Sequence, residues 1–520
     1  MNFKINNIFY TVILGVVSFS INFFYASLGV LPIDTFAFFD SGYRIMNGDI
    51  PFEDFWTISG PLIDLIQSLY FFIFGLNWNS YVLNGSVINV LFCLITYFFL
   101  QEFGLNQKYS FFYSLCIAFL ANPSMGTPFP DHYSTFFSFF AVISFLYGIK
   151  YNKNIYWLLT PVLFFFAFFC KQTPSAYLII FFLINYTLYS VIKKDFKFIF
   201  PVLLGSFFSI SVLVLYFIIN KIDINSFITQ YFLYPRTIGS TRLNEWDLSF
   251  NKAISTLKFI YFILVPLIFI FVKNLIFSKN YKTKNNFFIN LNIISFSLIL
   301  IFHQWLTLNF IFIFFLIPLL CAVLHINIGH VIKHKKFVTI LLLSFCLLAT
   351  TKYHFRFNQE RKMLDLENIN LSNYYKAGNF ASQLKGLKWI TREYSTNPNK
   401  EIEKLVIIKE VLKNEKKEIM FLSTYQFFSI ILDKSLHSPN RWYGGEVAHP
   451  PKKNPFYDDY LSFIYKQIKK NRIKLIFVDV NLGNYHLELF EEILKKFPPS
   501  CSNLTVIQDV LIRYDISSCY

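Results

Sequence analysis

Long apolar runs, each near or above the length needed to cross a bilayer, follow one another through the first 350 residues. They fall at about 8–31, 81–103, 109–125, 133–149, 156–170, 174–192, 198–219, 257–277, 287–302, 305–325 and 336–350, so eleven membrane helices are predicted. Beyond residue 350 the rhythm changes to short β-branched runs alternating with amphipathic stretches. Ile473–Val480 (IKLIFVDV) and Glu418–Ser423 read as strands, Tyr457–Lys470 as a helix, and Leu504–Tyr514 as a segment that closes a sheet. The expected organisation is a transmembrane domain over 1–350 followed by a soluble α/β domain over 351–520.

One segment challenges the helix count. Leu62–Leu76 (LIDLIQSLYFFIFGL) is apolar for 15 residues but contains Asp64 and Gln67, and reads as a helix lying in the membrane interface rather than crossing it. If it spanned, every later loop would change sides.

Composition sharpens the picture. With 55% hydrophobic and only 15% charged residues, the chain cannot be a soluble globular protein. The 68 Phe against 18 Gly reflect compositional bias, which says nothing about chemistry. A formal charge of +16 would in a soluble protein suggest nucleic acid, but its distribution argues otherwise. Residues 1–350 hold 21 of the 47 basic and 12 of the 31 acidic residues, so the tail is much the more charged part.

Loop charges orient the chain by the positive-inside rule. With the N-terminus inside, Lys4, Lys108, Lys150, Lys153, Lys193, Lys194, Lys197, Lys273, Lys279, Lys282, Lys284, Lys333, Lys335 and Lys336 fall on the cytoplasmic side, 14 in all. Arg44, Lys171, Lys221, Arg236, Arg242 and Lys252 make six on the other. Eleven spans then place residues 351–520 outside, giving a multi-pass membrane protein with an extracytoplasmic α/β domain. The first apolar run is about twice the length of a signal-peptide core and no A-x-A site follows it, so it is read as an uncleaved anchor.

Cys93, Cys116, Cys170, Cys321 and Cys346 lie in apolar runs and read as small buried hydrophobes. Cys501 and Cys519 stand alone in the exported part, where an oxidising compartment favours a disulfide over two free thiols. The tail shows no glycine-rich phosphate loop and no metal-ligand spacing.

Half of the acids in the membrane part, Asp34, Asp40, Asp49, Glu53, Asp54 and Asp64, crowd into the first outer loop at 32–80, where a simple linker would not need them. The loop reads DTFAFFDSGYRIMNGDIPFEDFW and then TISGPL. Asp34, Gly42, Arg44-Ile45-Met46-Asn47-Gly48, Pro51-Phe52-Glu53-Asp54-Phe55 and Gly60-Pro61-Leu62 follow in an order and spacing that resemble the first extracytoplasmic loop of bacterial GT-C glycosyltransferases. These are membrane enzymes akin to protein O-mannosyltransferases and the lipid A aminoarabinose transferase.

The resemblance is specific over 34–62, supportive over 120–180, architectural to 350, and does not reach the tail. It implies that Asp34 is the catalytic carboxylate, a general base or acceptor-orienting group, although a helix-end carboxylate at a wet interface would look the same. Asp40 stands where such loops often carry Tyr, and Arg44 and Asp54 are further candidates. A second carboxylate is expected in the next outer loop, where Asp131 is the sole acid. Asp at the start of a helix is equally an N-cap. His132 beside it could bind a metal or a phosphate. Lys171, between the fifth and sixth helices, is the implied phosphate ligand or else a lysine snorkelling to the headgroups. Arg236 and Arg242 are further phosphate or sugar contacts, since guanidinium forks pair with phosphate oxygens, or simply solvated loop residues. His303-Gln304-Trp305, with the apolar run after it, resembles a late helix pair of the group.

The implied reaction takes a sugar from a polyprenyl phosphate to a lipid, glycan or protein acceptor at the outer face. Cations would stabilise the leaving phosphate and Asp34 would activate the acceptor for inverting displacement. Membrane lipids are partners and nucleic acid is not. No cofactor is implied with certainty; some members of the group use a divalent metal. The rival reading is a transporter or flippase of lipid-linked envelope precursors, which would show ionisable groups at mid-membrane or interrupted helices in repeated halves. A third is an assembly protein that has kept the scaffold without catalysis.

Overall fold

The structure is a computed structural model that describes residues 5–121, 125–246, 249–250, 254–278, 281, 284–307, 312–328, 335–482, 484–498 and 501–519. Lys4, Lys252, Lys279, Lys282 and Lys333 of the loop-charge count lie outside these residues, as does 308–311 of the run after Trp305.

The chain divides into two compact units, each assembled from separate stretches. One comprises Met1–Ala26, Gly85–Tyr216 and Arg242–Met363, and the other Ser27–Asn84, Phe217–Thr241 and Leu364–Tyr520.

The first unit is helical, and a helix occupies each of the eleven predicted apolar runs. Eight helices among the described residues are long and apolar enough to cross a membrane, and the protein is a polytopic membrane protein. Gln107–Leu120, Asn154–Cys170 and Leu316–Ile328 are shorter. Many of these helices turn large apolar side chains outward, as Phe200, Phe207 and Ile219 do on Ile199–Asn220, because hydrocarbon rather than water is the intended solvent. Polar residues act at the ends. Asn106 caps Gln107–Leu120 by accepting from the Tyr109 N–H at 3.0 Å, and left-handed Asn152 and Lys194 close Pro130–Tyr151 and Ser175–Lys193. Pro130–Tyr151 packs along Asn154–Cys170, where a Cβ on Gly148 would press into the Trp157 ring.

The second unit is mixed. Its main sheet has the order β3-β4-β6-β5, with β3 Ile419–Leu422 parallel to β4 Leu475–Asp479. An antiparallel hairpin of β5 Asn503–Ile507 and β6 Leu511–Asp515 then joins β4 through β6. A smaller ribbon pairs β1 Tyr375–Lys376 with β2 Lys388–Trp389. Helix Tyr457–Lys470 follows the predicted bounds and lays Tyr460, Ile464 and Ile468 on Met420, Leu422, Ile476 and Val478. The Cys501–Cys519 disulfide is formed, and the other five cysteines are free and buried.

The first loop is part of this mixed unit's fabric. Gly29 and Val30 donate to the carbonyls of Lys388 and Ile390 at 3.1 and 2.9 Å. Trp56 donates to Pro439 O at 2.8 Å and its carbonyl accepts from Arg441, while its ring enters the core beside Tyr234, Tyr460 and Phe463. The predicted interfacial segment is helix Leu62–Phe74, stopped by Gly75 at a positive φ of 83°. Ile63, Asp64, Gln67 and Phe71 face inward, and Leu69, Phe72, Ile73 and Phe74 are exposed on the other side.

Candidate functional site

The helical unit brings Lys171, Arg242, His132 and His303 together around Asp131. Phe129 is the N-cap of Pro130–Tyr151 and makes no side-chain capping bond, Pro130 opens the first turn, and Asp131 follows it. The Asp131 carboxylate is therefore turned to another use. Lys171, just past the end of Asn154–Cys170, donates from Nζ to both Asp131 oxygens at 2.7 Å. His303, fully buried on Asn285–Thr307, brings Nε2 to 3.8 Å from Asp131 Oδ1. Arg242, at the end of Tyr234–Asn244, interacts electrostatically with both Asp131 and His303. His132 is fully buried with its ring beside Phe129, Phe136 and Phe312. Two cations and one carboxylate leave this cluster net positive, with two buried imidazoles, His303 and His132, beside them. That set can hold an anionic oxygen.

In the mixed unit Asp34 lies in the short helix Pro32–Thr35, where Pro32 pre-sets the first turn. It is half-buried, and Oδ1 accepts a 3.0 Å hydrogen bond from the indole N–H of Trp442. The indole donor fixes the direction of that carboxylate oxygen.

The other five acids of the loop are tied into structure. Asp40 is buried and accepts from Ser429 Oγ. Asp49 pairs with Arg44 at 2.7 Å, and that guanidinium also donates to Ser438 O at 2.6 Å and covers the Phe55 ring. Glu53 accepts from the Asp223 N–H at 2.7 Å and pairs with Lys466. Asp54 accepts from the Ile50 N–H at 2.8 Å and pairs with Lys470. Asp64, fully buried, pairs with Arg441 at 2.9 Å. The motif from Arg44 to Asp54 is thus a self-bonded turn held against the 436–441 segment, and Gln230 clamps it further through Thr57 N–H and Phe52 O. Arg236 is exposed on its helix. Among the described residues no group of three or more His, Cys, Asp and Glu is arranged to hold a metal ion.

Sequence reasoning missed Trp442 and Arg441, for a plain reason. They act on residues 408 and 377 positions away, and nothing in their own neighbourhood announces the contact.

No family model matches the chain, and no curated protein matches it in sequence. Among solved structures it is similar to ArnT from Cupriavidus metallidurans in complex with undecaprenyl phosphate, with a TM-score of 0.49 and 10% identity over 98% of this chain and 97% of that one. The likeness is one of general outline and assigns no residue.

Proposed function

We propose that the protein is a membrane glycosyltransferase of the GT-C type, moving a sugar from a polyprenyl-phosphate donor to a lipid, glycan or protein acceptor outside the inner membrane. The observation that carries the reading is Asp34. It begins the loop whose order resembles the GT-C first loop, and it is a half-buried carboxylate whose Oδ1 accepts from the Trp442 indole. In this reading Asp34 takes the acceptor's proton as its oxygen attacks the anomeric carbon, and the phosphate leaves from the opposite face with inversion. Within the helical unit, the resemblance makes Lys171 and Arg242 phosphate ligands, and Asp131 holds Lys171 in place. Because the donor's tail stays in the bilayer, no nucleotide-binding fold is required.

Two measurements test this. A deletion strain should lose one sugar from an envelope glycan, lipid or protein; unchanged glycans with a misplaced lipid carrier would instead indicate a transporter. Purified Asp34→Asn should insert and fold like wild type yet transfer at least about 100-fold more slowly, the lower range of a general base's contribution. Transfer at the wild-type rate would remove Asp34 from the chemistry.

A further inference from the structure

Helix Ala37–Met46 carries polar residues on a face that should be apolar. Asp40, Tyr43, Arg44 and the C-cap residue Asn47 recur at the i, i+3, i+4, i+7 spacing of one helix face, and the first three are buried. A buried polar stripe is costly unless something satisfies it. Here it lines a cavity of about 280 Å³ built wholly within the mixed unit, near the ~300 Å³ lower bound of ligand pockets.

The lining also includes Phe421 of β3, Ser423 just past its carboxyl end, and Phe428 at the start of the helix Phe428–Leu432. Beyond the carboxyl ends of parallel strands is where open α/β sheets bind ligands. Asn47, Asp433 and Ser435 form an exposed rim, so the cavity opens to solvent. Asp40 lies at the floor, 5% exposed, and Ser429 Oγ is the one hydrogen-bond donor to its carboxyl among the described residues. A carboxyl has four lone-pair sites, so Asp40 keeps accepting capacity for a further donor.

Charge narrows the ligand. Arg44 is the one Lys or Arg of the lining, and its guanidinium is already committed to Asp49 and Ser438 O, so the cavity offers a phosphate no uncommitted lysine or arginine. Asp433 Oδ1 accepts from the Tyr43 hydroxyl at 3.0 Å and Asn47 Nδ2 donates to Tyr43 O at 3.1 Å, which leaves Asp433 Oδ2 and Asn47 Oδ1 to accept from hydroxyls, with phenyl faces for a C–H surface. We propose that this cavity, distinct from Asp34, is a binding site for one non-anionic monosaccharide unit, recognised by Asp40 at its floor and Asn47 and Asp433 at its rim. Binding here needs no transfer chemistry, so it stands or falls separately from the glycosyltransferase reading.

The test is saturation-transfer NMR on the full chain in detergent, with glucose, galactose, mannose, xylose, glucosamine and glucose 6-phosphate as probes. At least one uncharged sugar or glucosamine should bind saturably, and glucose 6-phosphate more weakly than glucose. Asp40→Asn should weaken binding about tenfold, as expected for losing one charged hydrogen bond. Asn47→Ala should weaken it less, and Ser435→Trp at the rim should block it. If Asp40→Asn fails to fold, the two rim variants decide. Asp34→Asn should bind like wild type; retained binding with no transfer by the wild type would sink only the transferase, and transfer without saturable binding only this pocket. Absence of binding by all six probes, preference for glucose 6-phosphate, or wild-type affinity in folded Asp40→Asn and Ser435→Trp overturns the proposal.

Discussion

The helical unit and the mixed unit treat charge in opposite ways. Helix Pro130–Tyr151 has the Asp131–Lys171 pair at its start and the Lys150–Glu102 pair at its end. No Asp, Glu, Lys or Arg lies between, over a rise of roughly 28 Å that matches the ~30 Å of a bilayer's hydrocarbon. The mixed unit buries its charges in mid-structure: Arg441 with Asp64, Arg44 with Asp49, Asp479 under Ser423, and Glu401 accepting from Trp389, Thr391 and Tyr425. A solvent that cannot hydrate ions drives them to helix ends, where substrates also arrive. The mixed unit instead encloses several ions as pins, as with Asp64, Asp479 and Glu401.

The contrast can be broken at its strongest point. Arg441→Met leaves Asp64 charged and unpaired at zero exposure, and should cost about 3–5 kcal/mol. Thermal unfolding of the purified protein should show the mixed unit collapsing first; a melting temperature within a few degrees of wild type would mean that the pin is dispensable.

At the helix ends the loss should be smaller and reversible. Lys171→Met strands Asp131 and should destabilise by about 3 kcal/mol, while adding Asp131→Asn should recover most of it, because an uncharged pair carries no desolvation debt. No recovery in the double variant would argue that the pair is not the unit being measured.

A pH series separates the units further. Burial raises the Asp479 pKa above its ordinary value, against the opposing Ser423 hydrogen bond. A group raised in the folded state stabilises fully below the unfolded pKa near 4, and that stability is lost as pH rises through the folded value. Asp479→Asn should therefore flatten the fall in stability that the wild type shows as pH rises above about 4. A parallel pH profile in wild type and variant would contradict this.

The smallest effect belongs to the rim. Lys470 is half exposed where it pairs with Asp54, and Lys470→Ala should change stability by less than about 1 kcal/mol, vanishing in high salt. A larger loss would show that this ion pair too acts as a pin.

These patterns explain what the sequence made legible. Hydrophobicity is a local signal, so all eleven apolar runs appear as helices, Leu62–Phe74 shows its divided face, and β3, β4 and Tyr457–Lys470 fall where their periodicity puts them. Pairing across hundreds of residues leaves no local trace. The sequence allowed Asp131 to be a cap, but the cap is Phe129 and the carboxylate reaches Lys171 instead. Arg44 and Asp54, candidates by resemblance, are engaged with Ser438 O and the Ile50 N–H, and the Trp442 contact to Asp34 has no sequence signature.

The stitching of Gly29, Val30 and Trp56 to Lys388, Ile390 and Pro439 also sets a timetable for biosynthesis. Residues 27–84 leave the ribosome about 280 residues before 364 does, an interval of roughly 15–55 s at ordinary elongation rates. Until the tail is made, the nascent loop must wait with Trp56 and the charged Arg44 and Asp64 lacking their final neighbours. An N-terminal fragment ending before residue 364 should therefore be a client for chaperones and proteases, and the tail expressed alone should fare no better.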